Sequence, residues 1–223
     1  DLSSWKTVKR NPVCKKYKNF DICGFPPPTS GGIGVIQILG ILEYLLKDKH
    51  KIQETEKQHL FLEASRLAYL DRSKFIADPA YFNVPTKQLI SSTYIDARAK
   101  LVNAKKANLN YEAGKPSGMK INKSLIESKS LDLPSTTHIS IIDEEGNAAA
   151  LTSSVEFAFG SGKLVDGFFL NNQLTDFSFT PKNNEGKYIA NSVEPGKKPR
   201  SSMSPTIIFK DKKLFGIVGS PGG

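Results

Sequence analysis

Apolar residues recur with a period near four along the first part of the chain and with a period of two along the last part, which predicts helices followed by antiparallel strands. Ile33, Ile36, Leu39, Leu42, Leu45 and Leu46 fall three and four apart and predict a helix from about Gly34 to Lys47, with Thr29 or Ser30 as its cap. A second helix follows Thr55, where Leu60, Leu62, Ala64, Leu67, Ala68 and Phe75 form a broad stripe running to the proline of Asp78-Pro79. A third helical pattern covers Thr86 to Asn103. Residues 105–135, rich in Lys, Ser and Asn, have little periodicity and read as an exposed or mobile linker. At Thr136 the alternation begins: Thr137–Ile142 and Ala148–Val155 flank the polar turn 143–147 and predict a β-hairpin. Gly167–Asn171 reads as a further strand, and Ser204–Phe209 with Leu214–Val218 as a second hairpin. Short β-like runs between Trp5 and Ile22 end at the Pro26-Pro27-Pro28 run, which forbids regular structure. Helices, linker and sheet give an α+β class, divided at 1–104, 105–135 and 136–223.

With 39% hydrophobic and 24% charged residues in 223, the chain is a globular rather than a disordered one. Its net charge of +9 is uneven: residues 1–135 carry 22 Lys and Arg against 13 Asp and Glu, and the remainder is balanced. The lysines are scattered rather than interleaved with aromatics, which argues against nucleic acid as a partner. Cys14 and Cys23 are too few for a four-ligand zinc site and too far apart for a CxxC motif; they suit a disulfide across a hairpin or two half-buried thiols on paired strands. The longest apolar run, near Ile33–Leu46, is interrupted by Gln37, Gly40 and Glu43, so no membrane span is expected in this segment. The chain opens at Asp1 without a signal-like stretch and reads as a piece of something longer.

Common catalytic motifs are missing: there is no GxGxxG, phosphate-binding loop, HExxH or GxSxG, and His50, His59 and His138 are isolated. What remains is an ordered series of hydroxyl, amide and glycine blocks: Thr136-Thr137-His138, Thr152-Ser153-Ser154, Asn171-Asn172-Gln173, Ser201-Ser202-Met203-Ser204-Pro205-Thr206 and Pro221-Gly222-Gly223. Together with the Pro26–Gly32 stretch, these blocks resemble the gamma-glutamyltranspeptidase family of N-terminal-nucleophile hydrolases over nearly the whole chain.

The resemblance implies part of a four-layer αββα sandwich, spanning the end of the large subunit and the start of the small one. It implies self-cleavage of a precursor at Ser135–Thr136, after which Thr136 is the nucleophile and its own α-amine the base. A free α-amine titrates near 7.7–8.0 and accepts a hydroxyl proton at neutral pH. By the same resemblance Ser154 holds the nucleophile's hydroxyl, and the N–H groups of Gly222 and Gly223 form the oxyanion hole. Ser201 and Ser202 would hold the donor's α-carboxylate, and Gln173, Asp176 and Glu156 its α-ammonium. The partners implied are a glutathione-like γ-glutamyl donor and an amino-acid or peptide acceptor, with no cofactor and no metal, in the periplasm or outside the cell.

Two departures matter. Glu156 stands where well-studied members carry asparagine, which keeps open a cephalosporin or glutaryl acylase, or a γ-polyglutamate depolymerase. The arginines that the family sets against the carboxylate lie upstream of this chain. Thr180–Pro199, with Tyr188, corresponds to the lid over the donor site. An inactive, unprocessed fragment is the alternative from another class, since the chain runs unbroken through Ser135–Thr136.

Overall fold

The computed structural model describes residues 2–49, 51–119 and 136–220. Ser135, Gly222, Gly223 and the linker beyond Met119 lie outside the described residues. The elements in order are β1 (Val13–Tyr17), β2 (Phe20–Gly24), α1 (Gly31–Leu46), α2 (Glu54–Phe75), α3 (Thr86–Leu89), α4 (Ser92–Ala99), β3 (Thr136–Ile142), β4 (Ala148–Ser154), β5 (Leu164–Val165), β6 (Phe168–Phe169), β7 (Thr206–Lys210) and β8 (Lys213–Val218). Short 3₁₀ turns occupy Leu2–Ser4 and Gln173–Asp176. Mixed helix and antiparallel sheet make the class α+β.

The expected division into a helical first part and a sheet-forming last part does not describe the sheet itself. A four-stranded antiparallel sheet runs β1-β2-β7-β8, so half of it comes from each part of the chain. β2 pairs with β7 from Phe20 opposite Lys210 to Gly24 opposite Thr206. Cys14 and Cys23 face each other across β1 and β2 and are joined by a disulfide. β3 and β4 form a separate hairpin beside β8. Its turn is as expected: the Asn147 N–H donates to Asp143 Oδ1 at 2.7 Å, and Gly146 takes a φ of +82°.

Helix α1 lies on β1 and β2, and α2 and α4 pack against it. The approach is close because Gly24 and Gly32 meet there; a Cβ on Gly24 would stand 2.6 Å from the Gly32 Cα. The core gathers Val13, Ile33, Ile36, Ile41, Ala64, Leu67, Phe75, Ile76 and Leu89 with Tyr94, Ile95 and Ala99. Leu62, expected in the α2 stripe, is instead 62% exposed. The predicted helix from Thr86 to Asn103 is two helices, because Ser91 turns extended and caps α4 by accepting the Tyr94 N–H. Neither expected cap bonds α1 strongly: Ser30 makes no side-chain cap, and its hydroxyl donates to Ser201 O at 3.0 Å.

The first part of the predicted linker is seated rather than loose. Asn108 N–H and Tyr111 Oη donate to Glu63 Oε2 at 3.1 and 2.8 Å, and Gly114 N–H donates to Asp71 Oδ1 at 2.8 Å. Both carboxylates are buried on the inward stripe of α2. Asp71 also accepts from Tyr94 Oη and Gln37 Nε2 and pairs with Arg98 at 3.1 Å. Burial pushes the Asp71 carboxyl above its ordinary range, while the Arg98 guanidinium and these hydrogen bonds pull it back.

Candidate active site

Thr136 is the first residue of β3, directly opposite Ser154 at the end of β4. In that register the two hydroxyls share one side of the hairpin, and Thr136 Oγ1 donates to Ser154 Oγ at 3.1 Å. Ser154 Oγ also accepts the Glu156 N–H at 2.9 Å. Glu156 carries a φ of +76°, a left-handed conformation that costs a non-glycine residue energy and turns its amide back toward the hydroxyl. Gln173 Nε2 donates to Ser154 O at 3.2 Å, and Asn172 N–H donates to Val155 O at 3.2 Å. The amide-rich turn is thereby fastened to the strand end that orients Thr136. A β-branched side chain with a bonded hydroxyl has little rotamer freedom, so the direction of the Thr136 oxygen is preset.

A second cluster forms where residues 201–203 meet the N-terminus of α1. Ser201 O accepts from the Ser30 N–H at 2.8 Å, and Thr29 Oγ1 donates to Met203 O at 2.5 Å. Arg72, buried on the last turns of α2, donates from Nη2 to Ser202 Oγ at 2.6 Å and from Nε to Ser30 Oγ at 2.9 Å. Ser30, Arg72 and Ser202, with Asp71 and Ile33, line a cleft at that helix end. The guanidinium and the helix N-terminus give this cleft a positive character suited to a carboxylate.

The family model for Gamma-glutamyltranspeptidase matches residues 1–223. The chain belongs to that family. It is 38% identical over 231 residues to the glutathione hydrolase proenzyme of Bacillus subtilis (strain 168), an alignment covering 100% of this chain and 38% of the relative. It is 37% identical to the glutathione hydrolase proenzyme of Escherichia coli (strain K12), again over 100% and 38% of the two. The chain thus spans about two fifths of the length of these relatives. The crystal structure of cephalosporin acylase from Bacillus halodurans superposes with a TM-score of 0.75 at 23% identity, covering 97% of this chain and 35% of that one. The chain therefore shares the α+β fold of the matching part of that acylase.

Within this gamma-glutamyltranspeptidase segment, Thr136, Ser154, Gln173 and the Glu156 amide are brought together, and Ser201 and Ser202 join Thr29, Ser30 and Arg72. Asp176 closes the 3₁₀ turn, and its carbonyl accepts from Asn191 Nδ2 at 2.7 Å. Among the described residues no group of three or more His, Cys, Asp or Glu is placed to hold a metal ion. His138 bonds Thr152 Oγ1 at 2.7 Å and Ser140 Oγ at 3.0 Å, and its ring fills the space beside Gly219.

Arg72, Asn191 and Arg200 were not among the residues expected to build the site. The available signal was positional: Leu60, Ala64, Leu67 and Phe75 define the buried stripe of α2, and Asp71-Arg72 sits on that stripe, where a charge requires a partner. The segment 180–199, expected to be a lid, is pinned at its return. Tyr81 Oη donates to Pro195 O at 2.8 Å, Lys198 N–H donates to Asp78 Oδ2 at 2.8 Å, and Lys197 bonds Glu194 and Ala190 O. Bonding to the Lys197 ammonium holds the Glu194 carboxyl below the usual glutamate range. Tyr188 donates to the same carboxylate at 3.1 Å.

Proposed function

We propose that this chain is the junction of a precursor that cuts itself at Ser135–Thr136 and then transfers or hydrolyses γ-glutamyl groups through an acyl-enzyme on Thr136. The observation that carries this reading is the hydroxyl pair at the hairpin end, Thr136 Oγ1 to Ser154 Oγ at 3.1 Å, on the residue where the family begins its small subunit. In the self-cut, Thr136 Oγ attacks the Ser135 carbonyl carbon. The Ser135–Thr136 C–N bond breaks as the ester forms, which frees the Thr136 amine, and water then hydrolyses the ester to leave a Ser135 carboxylate and the Thr136 hydroxyl. In turnover, that amine takes the hydroxyl proton as Oγ attacks the donor's γ-carbonyl. The leaving amine collects the proton, and water or an acceptor amine resolves the ester. Gly222 and Gly223 supply the N–H groups for the oxyanion. Ser201 and Ser202 receive the α-carboxylate, and Gln173, Asp176 and Glu156 the α-ammonium. The donor is glutathione-like, the acceptor an amino acid or peptide, and the mature form a pair of subunits from one precursor. A location outside the cytosol accords with the Cys14–Cys23 disulfide.

The test is donor selection by the complete precursor after maturation. A γ-glutamyl anilide is expected to be cleaved at least about a hundred-fold faster, by kcat/KM, than a glutaryl anilide that lacks the ammonium, since an unmet buried charge penalises the analogue. Equal rates would move the reading to an acylase, the outcome for which Glu156 is the specific motive. Ser154→Ala should lower kcat about ten-fold, because it frees the rotamer of Thr136, and raise KM by a smaller factor, because the Glu156 N–H loses its acceptor. An unchanged kcat would remove Ser154 from the site.

A further inference from the structure

We propose that Arg200 is a positioning residue for the donor's α-carboxylate, fixing Ser201 and Ser202 against the last turn of α2. The inference rests on the γ-glutamyl reading above. Arg200 is 1% exposed and is, among the described residues, the largest side chain that is fully buried. Its Nη1 donates to Arg72 O and Ser73 O, both at 3.3 Å. These carbonyls belong to the final turn of α2, where the helix carries partial negative charge and favours a cation. Two residues after Arg200, Ser202 Oγ accepts the Arg72 Nη2 donor at 2.6 Å. The contacts therefore run both ways between the same two segments. Arg200 binds the backbone of Arg72, and the side chain of Arg72 binds Ser202. This closed ring sets both the height and the angle of the serine pair along α2.

The backbone of Arg200 extends the ring to the other charged end of the donor. Its N–H donates to Asn191 Oδ1 at 3.0 Å, and Asn191 Nδ2 donates to the Asp176 carbonyl at 2.7 Å. Asn191 is itself 1% exposed. The span between the carboxylate-holding serines and the ammonium-holding aspartate is thus fixed by bonded groups on the interior side of both segments. Loss of the Arg200 side chain loosens the serine end of that span and leaves the Asn191–Asp176 end bonded. Thr136 sits on the separate β3–β4 hairpin. The expected signature is therefore weakened binding of the carboxylate with intact chemistry.

The experiment uses the complete, self-cleaving protein carrying Arg200→Met and, separately, Arg200→Lys. Arg200→Met is expected to raise KM for γ-glutamyl-p-nitroanilide about ten-fold while kcat stays within about two-fold of the parent. Glutaryl-p-nitroanilide, which keeps the carboxylate, should lose affinity by the same factor, read as competitive inhibition. 4-Aminobutanoyl-p-nitroanilide, which has only the ammonium, should inhibit as it inhibits the parent. Arg200→Lys should recover part of the loss, since an ammonium still reaches the carbonyls of α2. If the methionine protein does not accumulate, the lysine protein is read by the same split at smaller size. Equal loss for all three compounds, a fall in kcat without a rise in KM, or no change in KM would overturn the proposal. A parent enzyme that binds the three anilides alike would instead remove the γ-glutamyl reading on which it rests.

Discussion

Replacing Thr136 by alanine in the complete precursor is expected to leave one uncut polypeptide and no measurable turnover of a γ-glutamyl anilide, a loss of at least about 10⁴-fold. The expectation combines two roles in one side chain. Without the hydroxyl nothing attacks the preceding carbonyl, so the α-amine is never released, and the acyl acceptor is lost at the same stroke. Thr136→Ser keeps the oxygen but loses the β-methyl that restricts its rotamer. It should cut and turn over, both more slowly. Intact mass and an activity assay on the same sample decide the matter. Continued cleavage between 135 and 136 in the alanine protein would falsify the nucleophile assignment.

The largest effect on stability is expected from Asp71→Ala. Asp71 is 1% exposed and meets Arg98, Tyr94, Gln37 and the Gly114 N–H. Removing its carboxylate leaves the buried Arg98 guanidinium without its counter-charge and the Gly114 N–H without its acceptor, at a cost of about 3–5 kcal/mol. Arg98→Met added to Asp71→Ala should restore part of that loss, because it removes the stranded charge. Chemical denaturation of the precursor measures both. A loss below about 1 kcal/mol for the single change would show that water reaches the pair and relieves it.

The helices α1 and α2 and the β3–β4 hairpin were legible because each repeats one pattern over many residues. Ile33 and Ile36 are buried where the spacing puts them, Leu39, Leu42, Leu45 and Leu46 are half-buried, and Asp143 and Asn147 close the predicted turn. The break between α3 and α4 was not legible, because the apolar period continues through Ile90 while one serine hydroxyl starts a new helix. Pairing between β2 and β7 was hidden for another reason: Phe20 and Lys210 are far apart in sequence, and alternation reports a strand's face, not its neighbour. The ordered blocks named Thr136, Ser154, Gln173, Ser201 and Ser202 as candidates. They gave no sign of Arg72 or Arg200, since a charged side chain in a buried stripe declares its partner only after folding. The seating of 108–114 escaped notice for a similar reason. A polar, aperiodic segment looks solvated until Glu63 and Asp71 are seen to accept its amides.

The mixed parentage of the four-stranded sheet bears on what a cut before Thr136 leaves behind. β1 and β2 would then belong to one polypeptide and β7 and β8 to the other, with the β2–β7 ladder as the seam. Two such products cannot drift apart by releasing a surface patch, as docked subunits do; parting them means unzipping the interior of a sheet. Scission at that bond would change the covalent count of the molecule while its topology stayed that of one folded body.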